Sequence, residues 1–293
     1  ALGEEEIERL HQLLRNMRSR GTAILYVSHR LDEVERIVDE VTILRNGRVV
    51  RASGETEINV SDFVSAMVGE DIGEHYPKEH NASDDVVLEA QGLVTEFGVT
   101  DASFTLHKGE VLGLGGVLGS GRTEIARALF GTDELSAGQI LLSGKPVRFR
   151  REIDAIRAGL ALVPENRKYD GLFFNFRASG NITAASLGDL NRFGVLKLKA
   201  EAQATHDLIR DLEISTQAEE KTVNFLSGGN QQKIVIARWL FSQSDILILD
   251  EPTQGIDIGA KIAVYKLINK LTRAGKSIIL ISSDHDELLA MSD

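Results

Sequence analysis

The chain has 293 residues, 42% apolar and 26% charged, with a formal net charge of −11 and no cysteine. That is material for one large hydrophobic core or two unequal ones, and the acidic balance argues against a surface built to bind nucleic acid. Disulfides and thiolate metal sites are excluded, no run reaches the ~20 apolar residues that cross a bilayer, and no signal peptide is recognisable, so a reducing, cytoplasmic setting is expected.

The first 39 residues align without a gap to residues 255–293, at a constant offset of 254. Identities include Leu13 with Leu267, Gly21 with Gly275, Ser28 with Ser282, Asp32 with Asp286, Glu33 with Glu287 and Asp39 with Asp293. In each copy an amphipathic helical segment ends in Gly and leads to an apolar run, Thr22-Ala-Ile-Leu-Tyr-Val-Ser28 or Lys276-Ser-Ile-Ile-Leu-Ile-Ser282, which reads as a buried strand. A chance match of short strand–helix units is the alternative. The repeat predicts a piece cut through equivalent points of two homologous domains. Residues 40–50 read as two closing strands around a turn at Asn46-Gly47. Ser61 to Met67 reads as a short helix, residues 51–85 as a linker, and residues 86–293 as a second domain that stops before its own closing strands.

Val111-Leu-Gly-Leu-Gly115 reads as a strand that runs into Gly116-Val-Leu-Gly-Ser-Gly-Arg-Thr123 and then a helix from Glu124 to Phe130. A phosphate-binding loop needs glycines that let successive N–H groups face phosphate oxygens, a helix N-terminus behind them, a cation and a hydroxyl for Mg²⁺. Gly116, Gly119 and Gly121 supply the turns, with Ser120 between the last two, Arg122 the cation and Thr123 the hydroxyl. Arg122 stands where the usual pattern has Lys; its planar guanidinium places the charge differently. Taken alone, this stretch is also compatible with a glycine-rich turn that binds nothing.

Asp245-Ile-Leu-Ile-Leu-Asp250-Glu251-Pro252 reads as a central parallel strand ending in two acids, where doubly wound sheets place their ligands. Asp250 is the candidate Mg²⁺ residue and Glu251 the candidate base for an attacking water. A buried strand capped by solvated acids is the plain alternative, weakened by the phosphate loop upstream. Leu226-Ser-Gly-Gly-Asn-Gln-Gln-Lys233 heads a third element, a helix over 231–241; a simple cap explains Ser227 but not the two glycines.

Phosphate loop, Ser-Gly-Gly motif and acidic strand, in this order, resemble the ATP-binding-cassette (ABC) ATPases. Gly-Ser-Gly-Arg-Thr-Glu124, Val163-Pro-Glu-Asn-Arg-Lys168 and Asn230-Gln-Gln-Lys233 look like the second cassette of the twin-cassette ATPases of bacterial monosaccharide importers for ribose, xylose and galactosides. The resemblance covers nearly the whole chain. It implies an α/β P-loop NTPase fold with a central mostly parallel sheet, an antiparallel β portion and a helical signature subdomain. It also implies ATP and Mg²⁺ as ligands, and Ser227, Gly228 and Gly229 as contacts to the γ-phosphate on a partner cassette. Residues 1–50 would be the end of the first cassette, with His29 as its γ-phosphate-sensing histidine. The resemblance further implies membrane permease subunits, indirectly a periplasmic sugar-binding protein, a second cassette or second copy as partner, and a place on the inner face of the cell membrane.

Three departures bear on hydrolysis: Arg122 for Lys, Glu165 where a typical cassette has a Gln near Mg²⁺ and the water, and Ser283 at the position of His29. His285 lies two residues on and reads as exposed or structural. Phe97 is the candidate adenine-stacking ring, with a core role as its alternative. Asp257, in Thr253-Gln-Gly-Ile-Asp257, resembles the acid of a loop that communicates across the cassette pair. Two other functions stay open: a hydrolysis-weak nucleotide-binding regulator, and a soluble ABC ATPase acting on ribosomes or DNA.

Overall fold

The computed structural model describes residues 4–28, 34, 36–45, 48–52, 76–117, 119–188, 190–192 and 195–293. His29, the Asn46-Gly47 turn and the 61–67 helix lie outside the described residues. The chain divides into two units, Ala1–His75 with Asp257–Gly259, and Tyr76–Ile256 with Ala260–Asp293.

In the first unit, α1 (Glu4–Ser19) buries Ile7 and His11 on one face while most of its other positions are exposed. Arg18 in its last turn pairs with Asp39 at 2.6 Å. The expected closing strands form an antiparallel hairpin, β1 (Thr42–Arg45) and β2 (Arg48–Ala52), with Arg45 opposite Arg48. The run from Thr22 to Ser28, read from sequence as a buried strand, is not one. It has no strand geometry, and Leu25 and Val27 are 92% and 88% exposed. Apolar periodicity makes a strand only where a neighbouring strand takes up its N–H and C=O groups, and in this unit β1 and β2 pair with each other.

The second unit begins with β3 (Val86–Thr95), β4 (Ala102–His107) and β5 (Val111–Leu114), followed by α2 (Arg122–Phe130), β6 (Leu135–Leu142), β7 (Lys145–Val147), α3 (Glu152–Arg157) and β8 (Leu160–Val163). A π-helical turn over Arg167–Gly171 leads to α4 (Ala178–Thr183), a small ribbon of β9 (Asn191–Arg192) and β10 (Val195–Leu196), α5 (Leu198–Asp211) and α6 (Gly228–Phe241). The unit closes with β11 (Ile246–Asp250), α7 (Ile258–Arg273), β12 (Ser277–Ile281) and α8 (His285–Met291).

Two four-stranded sheets organise these elements, an antiparallel one in the order β4-β3-β6-β7 and a parallel one in the order β5-β12-β11-β8. Every residue of β11 and β12 is buried, as strands covered on both faces must be. In the parallel register Leu114 lies opposite Ile281, Ile281 opposite Asp250, and Leu249 opposite Val163, so the four C-terminal ends share one edge. The α/β architecture expected from sequence is present, with α4 and α5 packed on α6 as the helical portion.

Helix α6 buries Ile234, Val235, Ile236, Ala237 and Trp239, and Trp239 meets Phe130 of α2 edge-to-face at 5.6 Å, so two helices that open on glycine motifs share one core. Residues 76–85, part of the stretch read as linker, lie on the outside of this core. The Tyr76 ring is 5.5 Å from Tyr265 of α7, the Glu79 N–H donates to Asn269, and Lys78 and His80 reach Asp293 at 2.7 and 2.8 Å. Asp293 in turn accepts the Val111 N–H at 2.8 Å and so holds the start of β5.

The helical portion depends on Asn181, which is fully buried. Its side chain accepts from the Phe173 N–H at 2.8 Å and donates to the Phe173 and Arg177 carbonyls, while its own carbonyl accepts from Arg238 Nε at 2.8 Å. Arg238 stands over the Phe173 ring at 5.7 Å, and burial pushes its pKa down to about 10. Asn181→Ala leaves a buried N–H and two carbonyls without this partner, so a loss of ~2–3 kcal/mol is expected. Urea unfolding followed by the fluorescence of Trp239, the chain's single tryptophan, reads it from the second unit alone.

Candidate functional site

The site lies at the shared edge of the parallel sheet. β5 ends at Leu114, the described residues 115–117 and 119–121 follow, with the Ser120 N–H donating to the Val117 carbonyl, and α2 starts at Arg122. Gly119 and Gly121 have φ of +79° and +94°, the left-handed region in which a side chain would be strained. Gly121 also has the Val99 side chain 3.3 Å from where a Cβ would stand, so a side chain there would meet a tight contact as well as a strained backbone. The result is a turn whose amide groups precede the positive end of a helix, a geometry suited to an anion.

Across the edge, Asp250 ends β11 and Glu251 follows it. Asp250 is buried, takes a hydrogen bond from the Thr123 hydroxyl and feels the charges of Glu165 and Glu251; its Oδ1 has no hydrogen-bond partner in the protein. Burial first, then these carboxylates, raise its pKa to about 6 against the pull of Thr123 and Arg122. Glu251 has φ +48°, rare for a side-chain-bearing residue, and its N–H donates to the Ile281 carbonyl at 2.9 Å. Burial also raises the Glu251 pKa, opposed by Ser283, whose hydroxyl donates to Oε2 at 3.1 Å, and by the charge of Arg122.

Arg122 does not point freely into the loop. Its Nη1 donates to the Ser282 carbonyl at 2.7 Å and lies 3.8 Å from Glu251 Oε1, with both side chains about nine-tenths buried. Gly116, Gly119, Ser120, Gly121, Arg122, Thr123, Asp250, Glu251, Glu165 and Ser283 therefore belong to one neighbourhood. Among the described residues no three His, Cys, Asp or Glu side chains form a protein-only metal cage. One hydroxyl plus one buried carboxylate with an unused oxygen suits a hard cation that keeps water or ligand oxygens.

Phe97 sits in the turn between β3 and β4, closed by mutual hydrogen bonds of Thr95 and Val99, and is 63% exposed. Its neighbours Gly98 and Val99 abut Gly121, so the ring stands near the loop and outside the core. An open groove of about 340 Å³ beside it is lined by Glu96, Phe97, Glu134, Leu135, Ser136 and Arg148.

Ser227, Gly228 and Gly229 gather with a different set. Ser227 caps α6 by accepting the Asn230 N–H and side-chain amide, while a Cβ on Gly228 would stand 3.0 Å from Arg167 Nη2 and one on Gly229 2.5 Å from Ala260 Cβ. Sequence reasoning missed Arg167. It is buried, donating at 2.7 Å to the Gln254 carbonyl and at 3.2 Å to that of Gly255, and burial lowers its pKa. Its only signal was its place in Val163-Pro-Glu-Asn-Arg-Lys168. His285 is exposed and opens α8.

The raised pKa of Asp250 has a consequence for stability. Because the folded value of about 6 exceeds the ordinary aspartate value of 3.8, the ionised form is penalised on folding. The penalty is absent below pH ~4, grows as pH rises and is complete above pH ~6. Asp250→Asn should thus stabilise the ligand-free protein by roughly 3 kcal/mol at pH 7.5 and by about half a kcal/mol at pH 4. Thermal melts of both proteins across this range test the sign; an unchanged melting difference would refute the assignment.

A family model described as ABC transporter matches residues 99–254, more than half of the chain. The ribose import ATP-binding protein RbsA of Oceanobacillus iheyensis is 42% identical over the whole chain, and the ribose import ATP-binding protein RbsA 3 of Rubrobacter xylanophilus is 44% identical over the whole chain. The chain spans 59% of the length of each of these relatives. Among solved structures, an ATP-binding cassette in a dimeric post-hydrolysis state bound to ADP and Pi superposes with a TM-score of 0.60 at 17% identity, over 70% of this chain and 91% of that one. The matched region holds the glycine loop, the Ser-Gly-Gly helix and the acidic strand together, and the chain belongs to the ABC transporter family.

Proposed function

We propose that the second unit is a nucleotide site for Mg·ATP, and that in the whole protein ATP hydrolysis by paired cassettes powers import of a monosaccharide such as ribose through a membrane permease. The observation that carries the reading is the glycine turn at the start of α2 facing Asp250, whose buried Oδ1 is left for a ligand. The amides around Gly116, Gly119 and Gly121 would hold the phosphates, and Phe97 would stack on adenine. Thr123 and Asp250 would hold Mg²⁺, which when bound neutralises phosphate charge and aligns the β- and γ-groups. Glu251, with its raised pKa, would take the proton of the water that attacks the γ-phosphorus as the bond to the β-phosphate oxygen breaks. Glu165 would orient that water.

Ser227, Gly228 and Gly229 would complete the site of a partner cassette, either the first cassette of the whole protein or a second copy. The position of His29 would serve the first cassette. No described helix is long and apolar enough to cross a membrane, and in the import reading permease subunits would form the path across it. The exposed rings of Phe173 and Phe176, 5.7 Å apart, are the surface we assign to them. That contact would hold the protein at the inner face of the membrane, with a periplasmic sugar-binding protein engaged only through the permease.

A second reading, a cassette that binds nucleotide but turns it over poorly, is favoured by one observation. Arg122 is committed to Ser282 and Glu251, and Ser283 instead of a histidine holds the base. Calorimetric titration with Mg·ATP should give saturable binding, weakened at least tenfold by Arg122→Ala and by Thr123→Ala, with phosphate release by this chain alone at or near background. Steady turnover abolished by Glu251→Gln would reject the second reading; a folded chain that binds no nucleotide would reject both.

A further inference from the structure

Outside the phosphate loop, the least expected group in the molecule is Glu287. It is only 1% exposed on α8, and the mechanism above does not use it. Its Oε1 accepts the Thr253 hydroxyl at 2.7 Å, its Oε2 accepts the Ser282 hydroxyl at 2.5 Å, and the Tyr265 hydroxyl also bonds to it. The Ser282 oxygen already accepts the Asp284 N–H at 3.1 Å, which directs its proton to Glu287. A buried carboxylate receiving hydroxyls from three separate elements is strongly specified, because each donor lost leaves an acceptor without water to replace it.

Those three elements frame the site. Thr253 lies two residues after Glu251. Ser282 directly follows β12, and its carbonyl is the group that holds Arg122, while the next residue, Ser283, holds Glu251. Tyr265 belongs to α7, and its ring contacts Tyr76. Asp284, which caps α8 by accepting the Glu287 N–H at 3.1 Å, is also 3.4 Å from Lys261 of α7. Glu287 recurs in the 254-residue repeat, opposite Glu33.

We infer that Glu287 is a positioning residue for the γ-phosphate end of the nucleotide site, fixing the Ser282–Ser283 turn and the Thr253 loop so that Arg122 and Glu251 are held ready. The inference rests on the nucleotide reading. It acts through the Ser282–Ser283 turn and the Thr253 loop, which flank Glu251 and Arg122, so it concerns the end of the ligand that distinguishes ATP from ADP. The glycine loop and Phe97 lie outside this network. A preorganised pocket loses affinity for the group it was arranged to receive when its supports are loosened.

Glu287→Gln keeps the shape but turns an amide N–H₂ toward hydroxyls that donate, so one of them must swing away. Calorimetry on the full 293-residue chain should show Mg·ATP affinity falling about tenfold and Mg·ADP affinity changing less than twofold. Ser282→Ala, a smaller change that keeps the protein foldable, should give the same ATP-selective loss. The double variant should be little worse than either single one, as expected for one network. Equal weakening of ATP and ADP, or no weakening, in variants that melt as the parent does would overturn the inference and leave nucleotide binding intact. A parent chain that binds neither nucleotide would overturn the nucleotide reading, and this inference with it.

Discussion

The Arg122 guanidinium, donating to the Ser282 carbonyl at 2.7 Å and facing Glu251 at 3.8 Å, ties together chain segments that follow β5, β12 and β11. It can do so because the parallel register brings Leu114, Ile281 and Asp250 to one edge. Strands buried on both faces, as β11 and β12 are, cannot slide along one another without misplacing a whole layer of side chains. The sheet therefore fixes the distance between the glycine loop and the acidic pair, and a charge-assisted bond to a backbone carbonyl fixes the first residue of α2 against both.

Much of this was legible in the sequence because it depends on short-range rules. Four apolar residues ending in Asp250 and Glu251 must form a buried strand with acids at its mouth. Gly119 and Gly121 sit where φ is positive, and Ser227 caps α6 as a serine before two glycines should. What escaped depends on long-range partners. The direction taken by Arg122 is decided by a carbonyl 160 positions away. Arg167 is buried because Gln254 and Gly255 offer it carbonyls, and Glu287 because three hydroxyls converge on it. The run Thr22 to Ser28 shows the converse. Its apolar pattern matches that of β12, yet it is no strand, since a pattern specifies which face is buried only when there is a sheet to bury it in.

Several features of the site lower the stability of the fold. Asp250 is held with its pKa near 6 beside two other carboxylates, and Glu251 adopts a left-handed backbone. Such costs persist only where the surroundings over-determine the conformation, which here means buried strands on either side, the Ser283 hydroxyl and the Glu251 N–H on Ile281. The helical portion is bound to the same core by Trp239 against Phe130. The motif-bearing helix α6 thus shares a rigid base with α2 even though Ser227 and its glycines gather with Arg167.

In the proposed reading, Arg122 also sets the balance between binding and turnover. An anion entering the glycine loop competes for a guanidinium that also serves Ser282 and Glu251, so the affinity Arg122 contributes is what remains once those contacts are loosened. If Arg122 follows the phosphate, Glu251 loses its nearest positive charge while it remains buried, and its proton affinity rises further. That strengthens it as a base but also favours the protonated form in which it cannot act as one. A compact ammonium would reach the phosphates from the helix start without spanning back to Glu251. Arg122 therefore couples the phosphate-binding cation to the candidate base, and Ser283, donating to that base, is the group left to hold it once the cation departs.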